Sequence, residues 1–436
     1  MIDKLGKYII KESIRYDSID RSEDLPVYGV SNVEGITETQ HKRSADLSKY
    51  LVIRKGNFAY NPYRINVGSI GLTGQDKEGL VSPAYVVFRT DENKLLPELL
   101  FDFLKSDEGL KQINKYARGT VRKALRFEDL AQIEMPIPDM GTQNKILEKK
   151  KRFDKNIRKL LDSNRVQVSE IKELRQQILQ DAISGKLSEQ WTKENPNVES
   201  AEILLQKIKA EKEKLVTEGK IRKQKELPSI QEDEIPFELP NGWVWCRLGD
   251  ICFKITDGFH NTPPKVSDGF PYIAATHIKS DKIYWSGCNY VAEKFHRELF
   301  LKATPQKGEI LVVNIGAGCG TPAIIDVDFE FSFKNTAILK FDQSEIYNKY
   351  VYYYFVLKRN DFYNDLTKGG LQPFLSLKIL NDIIFPLPPL SEQHHIVERI
   401  EYLFAKLDRI KELNIDNQNK IDLLNQVVLN EMFKDE

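Results

Sequence analysis

Met135-Pro136-Ile137-Pro138 is followed by Gln143-Asn144-Lys145-Ile146, and Phe385-Pro386-Leu387-Pro388 by Gln393-His394-His395-Ile396. The two stretches lie at an offset of 250 (385 less 135). Upstream, Arg118-Gly119 matches Lys368-Gly369 and Leu125 matches Leu375 at the same offset. An internal repeat of this length describes a chain built twice. The prolines exclude helix at these points and predict extended connectors. The segment after each connector reads as helix. One seam reads Phe153, Ile157, Leu160, Asn164, Gln167, Ile171, Leu174, Ile178; its partner reads Leu403, Leu407, Ile410, Asn414, Asn417, Ile421, Leu424, Val428. Apolar residues at alternating spacings of three and four predict a coiled-coil stripe. Asn164 and Asn414 interrupt both stripes at the same place. A polar seam residue near mid-helix fixes register at some expense of stability; a solvated defect in a loose seam is the alternative. Each helix of ~40 residues would span ~60 Å. Ser391, with Glu392 and Gln393 behind it, is a candidate N-cap of the second.

Earlier segments repeat more weakly. Lys4-Leu5-Gly6-Lys7-Tyr8-Ile9 resembles Arg247-Leu248-Gly249-Asp250-Ile251-Cys252, Lys55-Gly56-Asn57-Phe58 resembles Lys307-Gly308-Glu309-Ile310, and Tyr85-Val86-Val87-Phe88 resembles Ala337-Ile338-Leu339-Lys340. Short β-branched and aromatic runs between Gly, Asn and Pro turns predict strand-rich mixed globules. The plan is a first globule over 1–140, a long helix over 141–183, a connector over 184–240, a second globule over 241–388 and a second helix over 389–436. In the connector, Ile203 to Val216 predicts a charged helix and Lys220 to Glu234 a solvated linker. Pro240-Asn241-Gly242 marks a turn opening the second globule.

Composition narrows the function classes. Sixty-four basic residues balance 64 acidic ones, so a nucleic-acid binder of this sequence must segregate its charge. Cys246, Cys252, Cys288 and Cys319 show no CxxC spacing, which argues against a zinc site or disulfide framework and suits a reducing cytosol. The opening Met1-Ile2-Asp3-Lys4 is not a signal peptide, and no apolar run approaches the ~20 residues of a membrane helix. No GxxxxGK[ST], HExxH or GxSxG string is present. Asn61-Pro62-Tyr63 lacks the second proline of an amino-methyltransferase loop, and Gly316-Ala317-Gly318-Cys319-Gly320-Thr321 has no lysine to reach a phosphate. His394 and His395 read as polar residues on the surface, and Trp243 and Trp245 as packing residues.

Three strings bring a family into view. Leu239-Pro240-Asn241-Gly242-Trp243-Val244-Trp245-Cys246-Arg247-Leu248-Gly249-Asp250 resembles the entry to the second target-recognition domain of type I restriction–modification specificity subunits. Pro386-Leu387-Pro388-Pro389-Leu390-Ser391-Glu392-Gln393 with Ile396-Val397 resembles that family's entry to a dimerising helix, and Ala182-Ile183-Ser184-Gly185-Lys186-Leu187 its central connector. The resemblance runs the length of the chain. It implies an α+β protein: two target-recognition domains joined by an antiparallel two-helix coiled coil, internally duplicated with pseudo-twofold symmetry. It further implies a non-catalytic reader of double-stranded DNA that assembles with two modification (methyltransferase) subunits and two restriction subunits. S-adenosylmethionine, ATP and Mg2+ would then belong to the partners, and no metal to this chain.

Base and phosphate recognition uses Arg, Lys, Asn, Gln and flexible backbone. In the first globule the candidates are Tyr60, Asn61, Arg64 and Asn66, then Arg118, Thr120, Arg122 and Lys123 around Gly119. In the second they are His260, Asn261, Thr262, Thr276, His277, Asn314, Lys368 and Gln372. The matched positions of the Gly-basic loops single them out, and ordinary polar turns are the alternative. A coiled-coil adaptor without DNA readout is the competing function, and it has no need of those loops.

Overall fold

A computed structural model describes residues 2–19, 25–32, 35–38, 46–74, 77–119, 123–259, 262–279, 282–366 and 373–433. The chain forms two compact units: Met1–Gln167 with Leu413–Glu436, and Val168–Glu412. A long helix, Met140–Ile183, and a second, Leu390–Glu431, each contribute to both units. No helix among the described residues is long and apolar enough to cross a membrane.

In the first unit Ile2–Lys4 pairs antiparallel with Glu134–Pro136, so the first proline of the Pro-x-Pro connector ends a strand. One antiparallel sheet has the order Ile9–Glu12, Val86–Thr90, Asn57–Tyr60, Ile70–Leu72. A second runs Gly35–Glu38, Val27–Ser31, Gly79–Val81, Leu51–Ile53, with its middle pair parallel. Phe58 and Phe88 stack at 4.6 Å on the first sheet, and Leu99, Leu100 and Phe103 of helix Pro97–Lys105 close over that core.

The second unit repeats the first motif. Val244–Arg247 pairs with Ile384–Leu387, and the sheet order is Lys254–Asp257, Thr336–Lys340, Ile310–Val313, Pro322–Ile324. The weakly matching strings fall on corresponding strands of the two sheets: Asn57–Tyr60 with Ile310–Val313, and Val86–Thr90 with Thr336–Lys340. The second sheet differs more: Lys265–Val266, Asn289–Val291, Phe270–Ala274 and Ser332–Lys334, again with one parallel pair.

The repeated glutamine has a structural purpose. Gln143 is fully buried; its Oε1 accepts from the Leu96 amide (2.9 Å) and its Nε2 donates to the Lys94 and Pro138 carbonyls (both 2.9 Å). Gln393, also fully buried, accepts from the Tyr347 amide (2.8 Å) and donates to Pro388 (3.0 Å). Each amide ties the start of a long helix to the turn before the globule's own helix. The helix ends obey local rules. Asp139 Oδ1 accepts from the Gly141 and Thr142 amides, an N-cap. Hydrogen bonds from the Thr142 side chain and then its amide hold the Asp139 carboxyl below its ordinary range. Gly185, at φ +78°, ends the helix where a Cβ would fall 2.2 Å from the Pro240 ring. The second helix begins at Leu390, so Ser391 lies inside its first turn and is not the cap expected of it.

The seam needs a correction of phase. Ile157, Leu407, Ile171 and Ile421 are buried and Phe153 and Leu403 half-buried, but Leu160, Leu174, Ile410 and Leu424 are 44–52% exposed. Gln167 and Asn417 are exposed too. On the first helix the next covered positions after Ile157 and Ile171 are Leu161 and Arg175, four residues on rather than three. Both steps keep a residue on the same side of a helix, so an apolar neighbour at each leaves the choice open. In the first unit the helices run in opposite senses: Phe153 and Val428 line one cleft, and Ile157 and Asn425 the next. In the second, the Arg175 guanidinium lies 4.4 Å over the Phe404 ring and 2.5 Å from Asp408.

Asn164 and Asn414 both belong to the first unit, half-buried and buried, and the Nδ2 of each is without a hydrogen-bond partner among the described residues. A buried unpaired amide is a net penalty. Asn414→Leu is therefore expected to raise the unfolding free energy by about 1–2 kcal/mol, read as a higher urea midpoint; a lower midpoint would show that the amide has a stabilising partner.

The connector is not a free linker. Ala201, Leu204, Leu205 and Ile208 of helix Ala201–Thr217 are buried in the second unit's core. Lys212 Nζ donates to the Gly249 carbonyl (2.6 Å) and Gln224 to that of Phe253 (3.3 Å). Buried Arg247 donates to the carbonyls of Pro228 (3.2 Å) and Ser229 (3.4 Å) and pairs with Glu234 (2.8 Å). The Lys220 to Glu234 run, expected to be solvated, is thus strapped to the globule.

Candidate nucleic-acid interface

The two Gly-basic segments of the first unit meet. Strand Asn57–Tyr60 ends in an Asx turn, with Asn61 Oδ1 accepting from the Tyr63 amide (3.0 Å), and the Leu125 amide donates to the Pro62 carbonyl (3.0 Å). Arg118 and Ala124 exchange backbone hydrogen bonds (3.0 and 2.8 Å), next to the Leu125 tie to the 61–66 loop. Thr120 and Arg122 lie outside the described residues. Exposed Arg118 reaches the buried Asp129 carboxylate at 2.7 Å. Arg64 and Lys123 are exposed and have no ion-pair partner among the described residues; Asn66 is half-buried.

The second unit brings the corresponding segments together in the same way. The Leu375 amide donates to the Asn314 carbonyl (2.9 Å) and the Gly316 amide to the Pro373 carbonyl (3.0 Å), with Ile315 bridged to Phe374. Lys368 and Gln372 lie outside the described residues, as do His260 and Asn261. Thr262 is exposed and accepts from Lys334 Nζ. Thr276 is exposed.

Three expected contacts are corrected. Tyr60 is fully buried and its hydroxyl donates to the Leu125 carbonyl (3.1 Å); burial pushes its phenol well above the ordinary value, so it braces the loop pair instead of facing a ligand. Asn314 is 3% exposed at the end of a core strand, so its amide does not reach a base edge. His277 spends Nδ1 on the Ala274 amide (3.0 Å), closing its own turn. Two side chains not singled out beforehand are better placed. Tyr63 and Phe374 are 58% and 49% exposed within the paired loops. Their signal was an aromatic next to a proline in a Gly-basic loop.

Trp243 is buried edge-on to Tyr350 and Trp245 edge-on to Phe237, as packing residues. The two histidines are not bare surface: His394 stacks on Tyr347 (4.0 Å) and His395 on Trp191 (5.2 Å).

Comparison with known proteins places this architecture. The family model described as "Type I restriction modification DNA specificity domain" matches residues 2–167 and 240–418. The chain is 31% identical to the EcoAI specificity subunit of Escherichia coli over 245 residues, 55% of this chain and 40% of that protein. It is 26% identical to the E. coli EcoDI specificity subunit over 78% of this chain and 70% of that one. For the MjaVIII specificity subunit of Methanocaldococcus jannaschii the figures are 22%, 90% and 83%. The matched stretch spans only about two-fifths of the EcoAI and EcoEI subunits, 40% and 41%. Two solved structures share the fold. A chain from a study of complex assembly and conformational transition in the type I R-M system superposes with a TM-score of 0.58 at 20% identity, covering 100% of this chain and 97% of that one. The HsdS subunit of Thermoanaerobacter tengcongensis gives 0.53 at 19%, covering 99% and 96%. With one domain model matched over both halves of its length, the chain belongs to the DNA-specificity family of type I restriction–modification systems.

Proposed function

We propose that this chain is the non-catalytic DNA reader of a cytoplasmic type I restriction–modification complex, and that each unit reads one half of a bipartite target. The observation that carries this is the loop pair built twice: a strand-end loop hydrogen-bonded to a Gly-basic loop, through Leu125 to Pro62 and through Leu375 to Asn314. Exposed Arg64, Arg118 and Lys123 hold phosphates in the first unit, and Asn61, Asn66 and Tyr63 face the duplex. In the second, Thr262, Thr276 and Phe374 do so, together with His260, Asn261, Lys368 and Gln372 in the segments outside the described residues. The antiparallel helices act as a ruler for the unread spacer, with pseudo-twofold symmetry matching that of spaced half-sites.

The exposed apolar residues of the long helices fit the partners' place. Leu160 and Leu174 on one helix have Ile410 and Leu424 at the same offset on the other (410 less 160 is 250). Duplicated apolar positions suit two copies of one partner, the methyltransferase subunits, with restriction subunits completing the complex. S-adenosylmethionine, ATP and Mg2+ are used in those subunits.

Co-expression with a type I adenine-methyltransferase subunit, then genome-wide mapping of methylated positions, tests the reading. A split motif with a fixed spacer is expected. Exchanging residues 1–140 for another family member's first domain should change one half only. No methylation, together with a purified complex that ignores DNA at low salt, would hand the function to the adaptor reading. Neutralising three phosphate-binding cations (Arg64→Ala, Arg118→Ala, Lys123→Ala) should weaken DNA binding of the complex roughly 10- to 100-fold and flatten its salt slope by about 2–3. Unchanged affinity and slope would place the phosphate contacts elsewhere.

A further inference from the structure

The duplication exposes a difference at one place. In the second unit the first turns of helix Leu390–Glu431 are roofed by Lys186–Ser188 and the short helix Glu189–Glu194. Ser188 and Thr192 donate to Glu392 (2.6 and 2.9 Å), and Trp191 stacks on His395. Beneath this roof Glu392 is 1% exposed, and Ile396 and Ile400 are fully buried. The same positions in the first unit, 250 residues earlier, are Thr142, Ile146 and Lys150. There Thr142 is exposed and Ile146 half-buried, because the matching space is an open cleft of about 700 Å³. Its floor is apolar: Leu99, Ile146, Phe153, Val428 and Met432. Its rim is cationic. Lys145 and Lys149 have no ion-pair partner among the described residues, and the one carboxylate in the lining, Glu431, has an interaction of its own.

We propose that this cleft is the docking site for a short, acidic amphipathic helix of a partner polypeptide, seated as Lys186–Glu194 is seated in the other unit. Shape argues for the helix, since the duplicate site holds one. Chemistry argues for a different sequence. The carboxylate that receives Ser188 and Thr192 is replaced by Thr142, whose hydroxyl is already given to Asp139 (2.7 Å), and His395 is replaced by Lys145. The favoured occupant therefore carries a large apolar residue for the floor and carboxylates for Lys145 and Lys149. This inference does not depend on the DNA reading.

Fluorescence anisotropy with the full-length chain tests it. One probe is a fluorescein-labelled peptide copying residues 184–196; the other carries Lys186→Glu and Lys193→Glu. The acidic probe should bind roughly tenfold more tightly at low salt and lose that advantage at high salt. Lys145→Glu with Lys149→Glu in the chain should abolish the difference, and Trp191→Ala in the probe should abolish binding. Failure of both probes to bind at about 1 mM, or binding indifferent to the lysine reversals, overturns the proposal. Self-association of the chain in sedimentation that Ile146→Glu disperses would also overturn it, by naming a second copy as the occupant.

Discussion

Gln143→Leu is expected to destabilise the first unit by at least about 3 kcal/mol, and Gln393→Leu the second by at least about 2 kcal/mol, because each buried group left unpaired costs at least ~1 kcal/mol. Leucine has nearly the volume of glutamine, so packing is conserved and the loss falls on hydrogen bonding. At Gln143 three backbone groups are stranded: the Leu96 N–H and the Lys94 and Pro138 carbonyls. At Gln393 two are stranded, the Tyr347 N–H and the Pro388 carbonyl. All five sit where a long helix leaves its globule, beside a fully buried glutamine side chain. The loss should appear as a lower urea midpoint. It should also appear as faster hydrogen exchange at the Leu96 amide in one variant and the Tyr347 amide in the other. A midpoint and exchange rate both unchanged would mean that the glutamines are not structural ties.

The glutamines show what the sequence could disclose. Their repetition was legible because Pro-x-Pro and the glutamine after it recur at one offset. Their partners were not, since Leu96 lies 47 positions away and carries no side-chain signal. The helices were legible from the 3–4 spacing, but not their phase, because Leu160 and Leu161 are adjacent and either could face the partner. The candidate loops came from Gly and basic residues at matched places. Which of their side chains are free depended on the fold: Tyr60 and Asn61 are neighbours, and the Leu125 carbonyl takes the first inward. Lys220 to Glu234 looked solvated because charge was counted along the chain, whereas Arg247, the residue that anchors it, stands on a strand of the globule.

The same duplication predicts how the first unit's stability varies with pH. Asp102 is 9% exposed, 3.5 Å from Lys150, which itself lies 2.7 Å from Asp154. Burial pushes the Asp102 carboxyl up to about 6, outweighing the lysine's attraction. Burial works against the Lys150 ammonium as well, but the hydrogen bond to Asp154 and the attraction of Asp102 prevail and hold it above its ordinary value. The direction for Asp102 follows from geometry, since the ammonium sits nearer the other carboxylate. Its folded pKa is above the unfolded value of 3.8, so between the two the folded state holds the extra proton. The Asp102 contribution to stability therefore falls as pH rises from about 4 to about 6, by about 3 kcal/mol at most, and is flat above. The second unit fills the matching positions with Tyr353, Ile400 and Phe404, and Tyr353 meets Phe404 edge-on at 5.9 Å. Replacing a buried ion cluster by well-packed apolar groups is often stabilising by ~1–4 kcal/mol. Transplanting that trio (Asp102→Tyr, Lys150→Ile, Asp154→Phe) should raise the unfolding free energy by about 1–4 kcal/mol at pH 7.5 and remove the slope between pH 4 and 6. Urea unfolding at stepped pH reads both. Asp102→Asn alone separates the causes: a lost slope with stability kept or raised supports burial as the dominant force. A destabilised variant whose parent gains stability from pH 4 to 6 would instead make the Lys150 pair dominant.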